Sequence, residues 1–334
     1  MDLTPNSALT DTQGRTVRDL RISVTDRCNL RCVYCMPAEG MAWLPKEQLL
    51  TYEEIARFAR VCLELGVTGI RLTGGEPTVR MDLPVLVRML NDLRPGLDLS
   101  LTTNALKLEV MAESLRDAGL KRVNVSLDTL DRERFHRIAR RDRLADVLAG
   151  LEAAERVGFN PIKVNAVLMR EFNHDEAVPL ARWGRERGYQ VRFIEWMPLD
   201  FQHGWSREKL VPADEILTQI DAVFPLEPMR VTDPSAPATL YRYRDGGGTV
   251  GVIASVTHPF CAQCDRIRLT ADGQIRTCLF SLKEYDFRAA MRRGASDGEI
   301  AELLRAAVLR KEPGHLINSP YFVQPERGMS AIGG

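Results

Sequence analysis

From about residue 20 to 197 the chain alternates two hydrophobic patterns: short runs with every second residue apolar, and longer runs with apolar residues three and four apart. The first places successive side chains on opposite faces of a strand; the second makes one stripe on a helix. Strands are predicted near 21–25 (RISVT), 69–73 (GIRLT), 98–102 (DLSLT), 122–127 (RVNVSL), 161–167 (PIKVNAV) and 190–195 (QVRFIE). Helices are predicted near 52–65, 83–93, 108–118, 143–157 and 175–187. Thr51, with Glu54 three residues on, reads as a capping box, and Gly66, Gly119, Gly158 and Gly188 stand where helices end. Strands joined by helices pair in parallel through right-handed crossovers. Six such units predict an α/β fold, a partial (β/α)6 version of the TIM-type barrel.

The alternation carries more than strand positions. Parallel strands covered on both faces are apolar nearly throughout, and these are not. Ile22, Val24, Ile70, Leu72, Leu99, Leu101, Val123, Val125, Ile162 and Val164 form one set. The other set reads Arg21, Ser23, Thr25, Arg71, Thr73, Ser100, Thr102, Asn124, Ser126, Asp128, Lys163 and Asn165. One face therefore packs on helices, and the polar, basic face lines the inside of the barrel as a ligand cavity. Beyond residue 225 the texture changes. Pro225, Pro228, Pro234 and Pro237 crowd together, strand-like runs follow at 239–244 and 249–255 around a turn at Gly246–Gly248, and a last helical pattern lies near 296–310. The predicted division is a barrel over 1–225 and a C-terminal extension over 226–334.

Charge narrows the partners. Lys+Arg and Asp+Glu are 45 each, so nothing suggests a bulk polyanion such as nucleic acid, and anion binding must come from a local cluster. The first residues lack the apolar core of a signal peptide and no run is long enough to span a membrane. A cytoplasmic protein is expected, where clustered cysteines point to metal or catalysis and an odd count of seven argues against a disulfide framework.

Cys28, Cys32 and Cys35 follow the first predicted strand, at the barrel mouth where active sites sit. A four-iron cubane usually takes four cysteines; three leave one iron open to a ligand from outside the protein. The CxxxCxxC spacing, with the aromatic Tyr34 before the last cysteine, resembles the radical S-adenosylmethionine (radical SAM) superfamily. Thr73-Gly74-Gly75-Glu76-Pro77 ends the second strand and is similar to the superfamily's GGEP segment. A second trio, Cys261, Cys264 and Cys278, follows in the extension. By itself it suggests a zinc ribbon lacking its fourth ligand, with His258 as a candidate; beside the first trio it also suits a second open-sited iron–sulfur centre. Arg266 and Arg268 share a face of an extended segment, and their guanidinium forks suit phosphate oxygens. Cys62 fits a helical core stripe with Ile55, Phe58 and Ala59.

The two trios together, with RDLRISVTDRCNLRCVYCMP, IRLTGGEPTVR, LTTNA, FIEWMP, FCAQCDRIRLTADGQIRTCLF and a terminal Gly-Gly, closely resemble the GTP 3′,8-cyclase family of molybdenum cofactor biosynthesis. The resemblance runs over nearly the whole chain. It implies two 4Fe–4S clusters and S-adenosylmethionine as cofactors, with the six cysteines named above as iron ligands. It implies hydrogen removal from C3′ of GTP, ring closure onto C8 and formation of 3′,8-cyclo-7,8-dihydro-GTP, with methionine and 5′-deoxyadenosine released. By motif position Arg21, Arg71, Thr102, Lys163, Arg266, Ile267 and Arg268 are GTP contacts, and Tyr34, Gly75, Ser126 and Met197 are S-adenosylmethionine contacts. Gly333 and Gly334 are implied to reach the active site. Expected partners are an external electron donor and, downstream, cyclic pyranopterin monophosphate synthase; a homodimer stays open. Two alternatives predict otherwise: a radical SAM peptide maturase, with a longer and more cysteine-rich extension, and a zinc-dependent nucleic-acid-binding protein, with a basic surface.

Overall fold

A computed structural model describes residues 8–333 of the chain. Its backbone is one twelve-stranded sheet flanked by helices. Six parallel strands form the centre: β1 (Asp19–Ser23), β2 (Gly69–Thr73), β3 (Asp98–Thr103), β4 (Arg122–Ser126), β5 (Ile162–Leu168) and β6 (Gln190–Glu195). The connections carry α1 (Tyr52–Glu64), α2 (Leu83–Leu93), α3 (Leu108–Asp117), α4 (Arg132–Ala139), α5 (Leu144–Arg156) and α6 (Ala177–Arg187). This is the expected partial (β/α)6 barrel. Thr51 and Glu54 form the predicted capping box on α1, a pairing that stabilises a helix start by about 1 kcal/mol. Gly66, Gly119, Gly158 and Gly188 all take positive φ at helix ends, backbone that costs glycine little.

Strand parity holds. Ile22, Ile70, Leu72, Leu99, Leu101, Val123, Val125 and Val164 are buried in one core under the helices. The polar set faces inward, and register turns it into rows. Arg71 pairs with Arg21 across β2 and β1, and Arg21 with Arg268 on the far side. Thr102, Asn124, Lys163 and Gln190 form a second row, and Ser126, Asn165 and Arg192 a third.

The extension does not stand apart from the barrel; it lengthens the sheet at both edges. After α7 (Ala213–Asp221), β7 (Leu226–Pro228), β8 (Thr239–Tyr243) and β9 (Thr249–Ile253) form an antiparallel set, and β9 adds in parallel to β6. Gly246 and Gly248 make the predicted hairpin turn between β8 and β9, both at positive φ. On the other edge β10 (Arg266–Leu269) adds in parallel to β1, followed by β11 (Gln274–Arg276) and β12 (Tyr285–Asp286). Two helices, α8 (Phe287–Arg292) and α9 (Asp297–Val308), return to pack beside α1, where Arg57 binds Asp297 at 2.8 Å. The proline-rich segment between β7 and β8 bridges the two edges: the Ser235 carbonyl accepts from Arg266 Nη1 at 3.0 Å. The chain closes with α10 (Met329–Ile332). Among the described residues no helix is long and apolar enough to cross a membrane.

Candidate active site: one chamber between two cysteine trios

The first trio sits on the loop leaving β1, and three anchors fix that loop. Arg31 and Val33 donate backbone N–H groups to the carbonyls of Ala139 and Ile138 at the end of α4, at 3.0 and 2.9 Å. Arg31 Nη1 turns back onto the Cys28 carbonyl at 2.7 Å. Tyr34 donates its hydroxyl to Asp128 Oδ2 at 2.8 Å. Asp128 in turn accepts from Val167 N at 2.8 Å, and Asn173 braces the same corner by donating to the carbonyls of Asp128 and Val167. The ends of β4 and β5 thereby hold the aromatic ring of the cysteine loop.

The GGEP turn after β2 presses against the segment leading to Cys28. Gly75 N donates to the Thr25 carbonyl and Glu76 N to the Arg27 carbonyl, both at 2.8 Å. The Glu76 carboxylate is buried without a cation and instead accepts from Thr78 N, both threonine hydroxyls of Thr78 and Thr103, and Asn104 N. Burial still pushes it up. Asn104 continues the network to Asn29 at 2.7 Å and lies 3.9 Å from Cys28 Sγ.

All six motif cysteines line one cavity of about 310 Å³. The second trio reaches it on a turn at 261–263 ahead of β10 and on the loop after β11. Tyr34, Gly75, Ser126, Met197, Arg21, Arg71, Thr102, Arg266 and Arg268 share the same walls. His258 is not among the wall residues. It hydrogen-bonds its neighbour Thr257 instead; the histidine that lines the chamber with the second trio is His315. The FIEWMP run contributes Met197 and owes its shape to Glu195, whose carboxylate accepts from the N–H groups of Ala213, Val256 and Thr257.

Below the chamber a second cavity of about 750 Å³ continues toward the N-terminal ends of the strands, sharing Arg71, Arg192 and Arg266 with the first. Lys163 belongs here, one layer below the cysteines, together with Arg18 and Arg122. Burial and repulsion from neighbouring cations push Arg268, Arg192 and Lys163 down. Arg268 falls to about 10, Arg192 to about 9 and Lys163 to about 8. Arg21 is also pushed down by burial, Arg268 and Arg71. Arg21 Nε and Arg266 Nη2 are buried without a hydrogen-bond partner. Such a lumen favours a polyanion, whose oxygens satisfy those donors and relieve the repulsion.

Ile267 corrects the expectation from motif position. Strand alternation that sends Arg266 and Arg268 into the lumen sends Ile267 the other way, and it is fully buried in the apolar core. The tail ends against β1 and β2. The Gly333 carbonyl accepts from Arg268, and a Cβ at Gly333 would stand 2.9 Å from Thr73 Cγ2 and 3.1 Å from Ser23 Cβ, so a glycine is needed to fit there. Gly334 lies outside the described residues. Arg192 was missed, although the alternation of β6 carries the signal: Val191 and Phe193 are core, and Arg192 points inward to Asn165 and Asn124.

Six free thiols in two trios are a ligand set of the kind that holds iron–sulfur clusters. All six are free and half-buried. Among the described residues no three ligand-type side chains converge closely enough to hold one metal ion. A zinc ion needs its thiolates about 2.3 Å from one centre, whereas a cubane takes one thiolate on each of several irons. The thiols differ by position and not by trio: burial pushes Cys278 up, as it does the first three. Burial and the Glu76 carboxylate push Cys28 up to about 12, and burial takes Cys35 to about 11. Burial also opposes ionisation of Cys264, but Arg266 and Lys311 hold it down to about 7.

Comparison with known proteins agrees with this arrangement. Residues 22–184 match the family model of the radical SAM superfamily, and residues 189–317 match that of molybdenum cofactor synthesis C. The chain is 54% identical to a GTP 3′,8-cyclase of Mycolicibacterium smegmatis, over 98% of this chain and 92% of the relative. It is 52% identical to a GTP 3′,8-cyclase of Streptomyces coelicolor, over 98% of this chain and 96% of the relative. Among solved structures, Streptococcus suis SuiB bound to S-adenosylmethionine aligns with a TM-score of 0.60 at 17% identity, covering 94% of this chain and 77% of that one; the likeness is one of fold. With its whole length matched at this identity and its two cysteine trios facing one lumen, the chain belongs to the GTP 3′,8-cyclase family, the radical SAM enzymes of molybdenum cofactor biosynthesis that use S-adenosylmethionine and 4Fe–4S clusters.

Proposed function

We infer that this chain cyclises GTP to 3′,8-cyclo-7,8-dihydro-GTP in the chamber between its two cysteine trios. The observation that carries the reading is the meeting of six cysteines from distant parts of the sequence above a floor of arginines. In this assignment Cys28, Cys32 and Cys35 hold the cluster that takes S-adenosylmethionine, and Cys261, Cys264 and Cys278 hold the cluster that faces the nucleotide. Bound together, the first cluster and S-adenosylmethionine supply radical hydrogen abstraction, with methionine and 5′-deoxyadenosine released.

The remaining work belongs to the side chains. Tyr34 offers a ring face fixed by Asp128, Gly75 admits a close ligand, and Ser126 and Met197 complete the S-adenosylmethionine wall. Arg21, Arg71, Arg266 and Arg268 neutralise the triphosphate, with Arg192 and Lys163 extending the positive surface downward and Thr102 offering a hydroxyl. Leu199, Phe280 and the α10 residues Met329 and Ser330 wall the chamber against water, which strengthens each charged contact within it. An external donor supplies electrons, and the product passes to cyclic pyranopterin monophosphate synthase. Seven free cysteines among the described residues suit the reducing cytoplasm.

The test is anaerobic. Chain reconstituted with iron and sulfide, then given reductant, S-adenosylmethionine and GTP, is expected to form 5′-deoxyadenosine only when GTP is present. Cys261→Ala is expected to retain the first cluster and lose the cyclised nucleotide. Full product from that variant would remove the second trio from the mechanism.

Asp128 gives a further expectation. Burial lifts its carboxyl to about 6, against the hydrogen bonds from Val167 and Tyr34. Removing a charged acceptor of this kind costs about 1.5–3 kcal/mol, or roughly ten- to a hundred-fold in affinity. Asp128→Ala is expected to weaken S-adenosylmethionine binding by that factor, with Tyr34→Phe adding little on top because both remove one contact. Equilibrium binding to the reconstituted variants measures it; full additivity of the two losses would show that Asp128 does not act through Tyr34.

A further inference from the structure

The segment 311–314, after α9, lies against Cys264 and Cys261 and ties down the residues on either side of Cys278. Lys311 is 4% exposed. Its ammonium donates to the carbonyls of Arg266 at 2.7 Å and of Thr277, and to Cys264 Sγ at 3.7 Å. Glu312 accepts from the hydroxyls of Thr277, at 2.8 Å, and Ser281, securing the turn that carries Cys278. Gly314 passes so near Cys261 that a Cβ there would stand 2.9 Å from Cys261 Cβ and 3.3 Å from its sulfur. Arg15 completes the frame from the other end of the chain, donating to the carbonyls of Cys261, Glu312 and Pro313 at 2.8, 2.6 and 3.0 Å.

Two carbonyls satisfy the donors of Lys311 but not its charge. Among the described residues no carboxylate forms an ion pair with it. A desolvated ammonium is costly unless an anion stands nearby, and the sulfur of Cys264 is the group placed to be that anion. Hydrogen bonds and charge around ligating sulfur set the reduction potential of an iron–sulfur cluster. One-electron reduction adds a negative charge to the cluster, and a fixed cation beside a ligating thiolate stabilises that added charge.

We propose that Lys311 is the positioning and charge-balancing residue of the second iron–sulfur site, holding the trio in shape and raising the potential of the cluster bound there. The proposal rests on the assignment of Cys261, Cys264 and Cys278 to that cluster. Lys311→Gln keeps an N–H donor for the carbonyls and removes the charge; Lys311→Met removes both; Lys311→Arg keeps the charge. Each is made in protein whose Cys28, Cys32 and Cys35 are alanine, so that only the second site holds iron, and is followed by dithionite titration monitored by electron paramagnetic resonance. The parent is expected to bind about four irons. Lys311→Gln should bind as much iron with its midpoint shifted to lower potential, Lys311→Met should load incompletely, and Lys311→Arg should stay near the parent. Equal iron and equal potential in the Gln and Met variants would overturn the role of Lys311. A parent that binds no iron would overturn the cluster assignment itself.

Discussion

Cys28→Ala is expected to fold, to lose roughly four irons per chain, and to make no 5′-deoxyadenosine. The side chain is half-buried on a loop, and its sulfur accepts only long contacts, from Leu30 N at 3.4 Å and Asn104 Nδ2 at 3.9 Å. Trimming it costs about 1 kcal/mol of stability or less, the scale of one small buried group. The chemical loss is total because Cys32 and Cys35 alone leave two irons without protein thiolates, and Asn104, the side chain that donates to Cys28, is a poor substitute for a thiolate. Cys62→Ala is the matching control. Cys62 sits on the buried face of α1, in the core and not in the chamber lining, so that variant should melt earlier but keep both clusters and full turnover. Iron content, chromatography of 5′-deoxyadenosine and thermal melting separate the two. Wild-type 5′-deoxyadenosine from Cys28→Ala would defeat the radical reading of the first trio.

What could be read in the chain beforehand follows from which physics is local. Alternation along β1 to β5 predicted both the helix-packed face and the polar lumen, since side-chain direction in a strand depends only on parity. The same rule, applied to β6, would have found Arg192, and applied inside Arg266–Arg268 it would have removed Ile267. Short cysteine spacings announced the first trio because its loop is contiguous. The meeting of Cys261, Cys264 and Cys278 with it depends on β10 adding beside β1, a contact between residues far apart in sequence that no local pattern encodes. The extension predicted over 226–334 in fact lengthens the sheet at both edges. The pattern predicts no helix at α4, α7 or α8. The apolar residues of α4 are few, and Phe135, Ile138 and Ala139 are its buried ones. Arg15 and Lys311 carried no signal, because each acts on backbone carbonyls brought to it by tertiary packing.

Gly75→Ala is expected to cost both stability and turnover, through backbone that cannot move aside. A Cβ at Gly75 would fall on the carbonyl oxygens of Asp26 and Arg27, 2.5 Å from the second. Those carbonyls belong to the segment leading to Cys28, and the Arg27 carbonyl already accepts from Glu76 N. Gly74 is as tightly placed, with a Cβ there 2.5 Å from the Thr25 carbonyl oxygen, so the strain cannot be passed to its neighbour. The two segments must separate, which stretches the 2.8 Å bonds from Gly75 to Thr25 and from Glu76 to Arg27. Overpacking of this kind costs about 1–3 kcal/mol. The effect on chemistry is larger, because the displaced segments carry the first cysteine on one side and the proposed S-adenosylmethionine wall on the other; a misplacement near 1 Å costs about a hundred-fold in rate. Melting should fall by a few degrees while 5′-deoxyadenosine formation falls by about a hundred-fold or more. Raising S-adenosylmethionine should not restore the rate, since the reacting geometry is lost along with affinity. A Gly75→Ala enzyme with near-normal turnover would mean that the GGEP turn is a structural corner and not part of the ligand wall.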